Sequence, residues 1–245
     1  MHLRFGARFS VRAIPLILIG IAVLLLLLDA IAYAFRGPSR GGITTLFDIT
    51  AESNLPTWFS SVQFMLVGVC AYFIGRNKHE EESKKIFGWF IIAAFFGYMA
   101  IDDALQLHES VGTFAGEAAK APGTQNFWLD VIRKFPSYYW LLIFAPIFAG
   151  FGLFMLIFLW GELADQQALQ LFLGGIALYV IALGLDFFDG IDRNYDMILR
   201  HTPFSFDDAR HLFRAVEEFI EMVGTSFILA AFLRYWQRTQ PLESS

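Results

Sequence analysis

Cysteine is almost missing. Cys70 is the only one in 245 residues, so no intramolecular disulfide and no Cys-x-x-Cys metal or redox motif can form. Positive charge is in deficit too: 18 Lys and Arg face 23 Asp and Glu, for a net charge of −5. Without a basic stripe, nucleic acid is excluded as an expected partner. Phosphate loops, Gly-x-Gly-x-x-Gly, the Gly-x-Ser-x-Gly elbow and His-Glu-x-x-His are all absent, which removes the common nucleotide, serine-hydrolase and zinc-protease signatures. The Glu-x-x-His pairs of dinuclear metal bundles are absent as well. No internal repeat of the transporter kind is evident.

Hydrocarbon is abundant. The chain is 56% hydrophobic, contains 28 Phe and has a mean hydropathy of +0.53, whereas a soluble domain averages about 45–50% apolar. Six runs approach the ~20 apolar residues that a bilayer crossing needs: 13–35, 57–75, 85–107, 138–160, 168–188 and 216–236. The expectation is an all-α, polytopic membrane protein, a bundle of six transmembrane helices forming one integral-membrane domain over residues 1–245. The first apolar core outruns a signal segment of 7–15 residues and reads as a retained helix. Lys and Arg divide nine to each side. Arg4, Arg8 and Arg12 crowd the first run, and Arg76, Lys78, Lys84 and Lys85 fill one short loop. Dense positive charge in short segments marks the cytoplasmic side. Both termini are therefore expected in the cytoplasm of a bacterial cell, with membrane lipid as the surrounding partner.

The acidic residues are one-sided. Helix parity puts only Glu80, Glu81, Glu82, Glu162, Asp165 and Glu243 on the cytoplasmic face, leaving 17 of the 23 on the other. Glu117, Asp130, Asp207 and Asp208 need only be solvated. Asp29, Asp102, Asp103, Asp186 and Glu221 lie deeper, each beside an apolar run. Carboxylates in spanning segments cost about 2.5–3.5 kcal/mol each on insertion scales and usually face the bundle interior with a partner.

Helical spacing aligns several of them. His211, Arg214, Glu218, Glu221 and Thr225 fall on one stripe of the sixth run. Tyr98, Asp102 and Glu109 share a face at i, i+4 and i+11, with Asp103 about 100° away; Asp102 is thus the expected interior member of its pair. Asp186, Asp189 and Arg193 stack at i, i+3 and i+7. Before the second run, Ser53 or Asn54 can cap and Pro56 suits the first turn. Asp48 and Glu52 just outside that cap, and Thr57, Ser60, Ser61 and Gln63 just inside it, are further candidates for a shared pocket. Favourable carboxylates at a helix N-terminus are the plainer account of Asp48 and Glu52. The glycines of "FAGFG" and "GGIALYVIALG" suit close helix packing.

Carboxylates with an imidazole bind divalent cations. Asp102, His108, Glu109, Glu218 and Glu221 form the candidate ligand set for Zn or Fe, with Glu52 and Asp103 as candidate catalytic carboxylates. Asp29, Asp48, Ser60, Asp186, Asp189 and His211 are further pocket candidates. A metal-free alternative has Arg193, Arg200, Arg210 and Arg214 neutralising the acids. Three function classes stay open: an enzyme acting on a lipid or amphiphile, a cation- or proton-binding transport or sensing protein, and a non-catalytic assembly subunit. The enzyme class places helices three and six side by side, with Asp102 or Asp103 near Glu218 or Glu221.

The blocks "FDITAESNLPTWFSS", "IDDALQLHESVG" and "EEFIEMVG" resemble an uncharacterised family of bacterial multi-pass membrane proteins, a likeness that covers most of the chain and implies six helices. "AESNLPTWFSSVQFMLVG" and "DDALQLHE" also resemble the early blocks of the alkaline-ceramidase-like membrane hydrolases. That second likeness implies an acidic residue, Ser, Asp and His around zinc. Those enzymes have seven spans and a late His-x-x-x-His pair, whereas this chain has six apolar runs and no such pair.

Overall fold

The computed structural model describes residues 13–35, 42–121, 126–200 and 202–239. The basic cluster Arg4, Arg8 and Arg12 lies outside them. Among the described residues all regular structure is helical: α1 (Ala13–Ala34), α2 (Ile43–Phe47), α3 (Leu55–Arg76), α4 (Ser83–Leu105), α5 (Leu107–Lys120), α6 (Phe127–Lys134), α7 (Tyr139–Glu162), α8 (Gln166–Asp189), α9 (Arg193–Leu199) and α10 (Phe206–Thr239), with one 3-10 turn at Glu80–Glu82. Five of these, α1, α3, α4, α7 and α8, are long and apolar enough to cross a membrane.

The sixth apolar run is only the later part of α10. That helix has 34 residues, about 51 Å at 1.5 Å per residue, and starts ten residues before the run does. Its start is set by a capping box: Ser205 N and Oγ both donate to Asp208 Oδ2, at 3.1 and 2.6 Å, and Asp208 N donates back to Ser205 Oγ at 3.2 Å. This arrangement satisfies end groups that would otherwise lack partners. Asn54 caps α3 by accepting from Thr57 N at 3.2 Å, with Pro56 in the first turn. Asp165 caps α8 through Ala168 N at 3.0 Å.

Two tight helix pairs form the core. In the α3–α4 pair, a Cβ on Gly68 would lie 3.1 Å from the Ala93 carbonyl, and one on Gly75 would lie 3.1 Å from Trp89. In the α8–α10 pair, a Cβ on Gly175 would lie 2.9 Å from the Gly224 carbonyl. α10 packs on α3 and α1 as well. Trp89 ties the pairs together, stacked on Tyr235 and edge-on to Phe232. Buried Cys70 is a free thiol. α7 leans on α5, where Gly112 and Gly116 admit Trp140 and Tyr139.

The two ends of the bundle differ. At one, Lys78 donates to Tyr235 Oη at 2.8 Å and pairs with Glu162, which also accepts from Tyr235 at 2.5 Å. Nearby Asp165 pairs with Arg234, and that hydrogen bond holds its carboxyl below the usual carboxylate range. The other end gathers the acidic residues.

Candidate functional site: an acidic cavity floored by aromatic residues

Sequence neighbours at the acidic end part company in space. The helical face expected to run from Tyr98 through Asp102 to Glu109 is interrupted. Gln106 takes a left-handed backbone (φ 53°), which ends α4 and starts α5 on a new axis. Tyr98 Oη still donates to Asp102 at 3.2 Å, one turn on. Asp102 is 1% exposed and turns to the helix after the break. It accepts from His108 N at 3.0 Å and from His108 Nδ1 at 2.6 Å. A carboxylate can only accept, so Nδ1 carries the proton and Nε2 is left to exchange one. Asp103 points elsewhere and accepts from Ser61 Oγ at 2.6 Å. Asp102 is thus the buried member of the pair, and both aspartates reach the same cavity wall.

That cavity holds about 930 Å³, near the upper limit of small-molecule sites at roughly 300–1,000 Å³. Its wall carries eight carboxylates (Glu52, Asp102, Asp103, Glu109, Asp186, Glu217, Glu218, Glu221) and two basic groups, His108 and Arg214. The remaining wall is largely apolar and aromatic, including Phe64, Phe96, Trp140, Phe151, Met155 and Ile228. From Glu217 to Ile228 along α10 the cavity is about 16 Å deep. Helices α4 and α10 touch beneath it through Trp89 and Phe96 against Phe232, but the expected third and sixth helices do not pack side by side: α4 packs on α3, and α10 on α8, α1 and α3.

Burial and the charge of Glu109 push the Glu52 carboxyl, in the loop before α3, above the usual range. For His108, burial works towards a lower value. The hydrogen bond and charge of Asp102, aided by Glu109 and Glu221, outweigh it and raise the imidazole above its ordinary value.

Other candidates serve different networks. Asp29, 3% exposed, accepts from Ile49 N at 3.0 Å and from His211 Nε2 at 3.0 Å. Asp48 accepts from Thr50 N and Oγ1, at 3.1 and 2.8 Å, and lies 4.0 Å from His211 Nδ1. His211 therefore leaves the stripe of Arg214, Glu218 and Glu221 and faces α1, with Tyr33 stacked on its ring. Thr225 also leaves the cavity wall, its hydroxyl donating to the Glu221 carbonyl at 2.9 Å. Ser60 is buried in α3 outside the wall.

Asp189 is buried and takes hydrogen bonds from Tyr138 (2.5 Å), Tyr195 (2.6 Å) and Arg214 Nε (2.8 Å), with Arg210 at 3.3 Å. Burial and the Asp189 hydrogen bond raise the Tyr138 phenol above its usual value. The expected Asp186–Asp189–Arg193 stack fails because α8 ends at Asp189, which puts Arg193 on α9. The arginine neutralisation expected without a metal is realised at one carboxylate, Asp189, by Arg210 and Arg214. Glu217, absent from the expected set, joins the cavity wall; its place in "EEFIE", one residue before Glu218, was the available signal.

Among the described residues, one His/Asp/Glu group has ligand atoms all within 4.8 Å of one another: Asp29, Asp48 and His211. These three are near enough to hold a metal ion. Asp102, His108, Glu109, Glu218 and Glu221 line the cavity together without closing into such a group.

The model of the family described as Domain of unknown function (DUF8692) matches residues 16–235. The chain belongs to that family. No curated protein and no solved structure matches it. The matched segment runs from α1 to near the end of α10, and so takes in every residue of the cavity wall.

Proposed function

We propose that this is a six-span protein of the bacterial cytoplasmic membrane, with its acidic end outward, that acts on the headgroup of an amphiphile held in the cavity. One observation carries the reading: a single cavity joins a crowd of carboxylates and the Asp102–His108 pair at one end to a deep aromatic and aliphatic wall at the other. Such a lining matches a molecule with a polar head and a hydrocarbon tail, as ligand sites pair a mostly apolar wall with a few placed polar groups. Asp102 fixes the His108 ring, and Nε2 serves as the general base that draws a proton from water or from a headgroup hydroxyl. Glu52, whose carboxyl lies above its usual range, is the group suited to give a proton to the headgroup atom that leaves as the oxygen deprotonated by His108 bonds in its place.

The test is lipid turnover. The full chain, reconstituted in vesicles of a bacterial polar lipid extract, is expected to consume one lipid class at least ten times faster than His108→Gln, with masses followed by mass spectrometry. No lipid changing under the wild-type protein would sink the enzymatic reading.

A second reading rests on Asp29, Asp48 and His211, whose hard oxygens and imidazole suit Zn or Fe. Thr50 Oγ1 lies 3.3 Å from His211 Nδ1 and Thr50 lines the cavity, so an ion there would sit against the cavity wall. Metal analysis of detergent-purified protein should then show near-stoichiometric metal that Asp29→Asn loses and Glu221→Gln keeps. Loss in Glu221→Gln alone would move the ion to the cavity, and no metal in the wild type would remove this reading.

A further inference from the structure

Three large apolar residues of the cavity wall lie on the outside of the bundle as well. Leu153 on α7 is 58% exposed, and Val180 and Leu183 on α8 are 64% and 39% exposed, yet all three line the cavity. A side chain that borders an internal space and is also open outward marks an aperture. α7 is buried at Leu141 and again at Met155, Leu159 and Glu162, with no buried residue between. It is sealed at its two ends and open in the middle.

The glycines agree. A Cβ on Gly150 or Gly152 of α7, or on Gly184 of α8, would meet nothing within 4 Å, whereas Gly175 is pressed against Gly224. The glycines of "FAGFG" therefore do not serve the close packing expected of them. Counted from Tyr139 and Asp189, Leu153 and Val180 lie roughly 21 and 14 Å from the acidic end, which is mid-depth in a hydrocarbon layer of about 30 Å. An opening at that depth faces acyl chains and not water.

The acidic end of the cavity calls for positive charge. Eight carboxylates face one histidine and one arginine, and Arg214 is already committed to Asp189. Asp186 Oδ2 is buried without a hydrogen-bond partner, and of the four such atoms among the described residues it alone belongs to the cavity wall. A buried carboxylate oxygen without a partner is costly, and an ammonium group supplies three donors together with compensating charge.

We propose that α7 and α8 frame a lateral window by which a long-chain amphiphile with an ammonium headgroup enters from the bilayer. Its head lies among Asp186, Glu217, Glu218 and Glu221, and its tail passes between Leu153 and Val180. This rests on the reading of the cavity as an amphiphile site and adds the charge of the head and the route of the tail.

The experiment uses the full chain in phosphatidylcholine vesicles. The probe is hexadecylamine carrying a mid-chain diazirine, with photo-adducts mapped by mass spectrometry. Adducts are expected on Ile176 and Ile228, inside the cavity, and excess butylamine should displace them. Hexadecanoic acid with the same diazirine should give at least tenfold fewer. Leu153→Trp with Val180→Trp plugs the window at exposed positions that the core does not need. This variant should cut the inner adducts at least tenfold. Ile181→Trp, exposed but outside the wall, should leave them unchanged.

If the plugged variant labels like wild type, or Ile181→Trp loses as much, the window is wrong while the cavity reading stands. Equal labelling by the acid probe overturns the ammonium assignment. An absence of inner adducts from either probe on the wild-type protein overturns the amphiphile reading itself, and the window with it. With the diazirine placed on the protein instead, as photo-leucine at position 153, a cross-link to a second copy in place of a lipid adduct would also overturn the window.

Discussion

Asp102 serves two helices at once. It accepts from Tyr98 within α4 and takes both the backbone N–H and the ring N–H of His108 in α5. Adjacent Asp103 holds one hydroxyl, that of Ser61. Asp102→Asn should therefore destabilise the protein by roughly 1–3 kcal/mol, the cost of breaking a buried charged hydrogen bond. Asp103→Asn, whose amide oxygen can still accept from Ser61, should cost clearly less. Thermal unfolding in detergent decides the order, and equal losses would refute it. The pH dependence has a definite sign. The folded His108 value is raised, so the stabilisation is complete below the ordinary histidine value of about 6.5 and is lost as pH climbs through the raised value. The gap between wild type and Asp102→Asn should accordingly be wider at pH 6 than at pH 9. A gap that widens with pH would contradict the assignment.

At the level of the helix, spacing along the sequence held wherever the helix was continuous. Tyr98 and Asp102 meet at i, i+4, and Arg214, Glu218 and Glu221 reach one cavity. It failed at Gln106 and Gly190, where α4 and α8 end and the phase is reset. No residue type at position 106 announces a left-handed turn, so Glu109 could not be separated from Asp102 by reading alone. The glycines divide in the same way: one pattern produced a pressed contact at Gly175 and open space at Gly152 and Gly184. Gly175→Ala should cost about 1–3 kcal/mol, since its Cβ would lie 2.7 Å from Ile228 Cγ1 and 2.9 Å from the Gly224 carbonyl. Gly184→Ala should be close to neutral. Comparing the two unfolding temperatures checks the α8–α10 contact, and matched values would refute it.

For the whole molecule, the separation of charge is the organising feature. Asp103, Asp186, Asp189 and Glu221 collect at one end, while Lys78 and Arg234 bind Glu162 and Asp165 at the other. Carboxylates from four helices and one loop make the cavity because antiparallel helices bring alternate ends together. In the proposed six-span arrangement, reporter fusions at residue 80 and near residue 125 should give opposite sides, with residue 80 cytoplasmic. The same side for both would remove α4 as a crossing, and with it the outward-facing cavity.

Run length alone led to a helical chain with six apolar runs, because the ~20-residue apolar requirement acts locally; five of those runs are helices long and apolar enough to cross a bilayer among the described residues. The one-sided acidity followed equally from helix parity. Partner choice did not. Asp29, Asp102 and Asp189 looked alike in the sequence, yet each is held by a group 6 to 182 residues away, in His211, His108 and Arg214. The sixth run was legible as an apolar stretch over 216–236, but the 34-residue helix that contains it was not. Glu217, Glu218 and Glu221 lower the hydropathy of α10, and only its packing against α8, α3 and α1 shows that those carboxylates line a cavity. The cavity and its opening belong to the tertiary structure alone, since an empty space is made by how far apart helices stand and leaves no mark on any one of them.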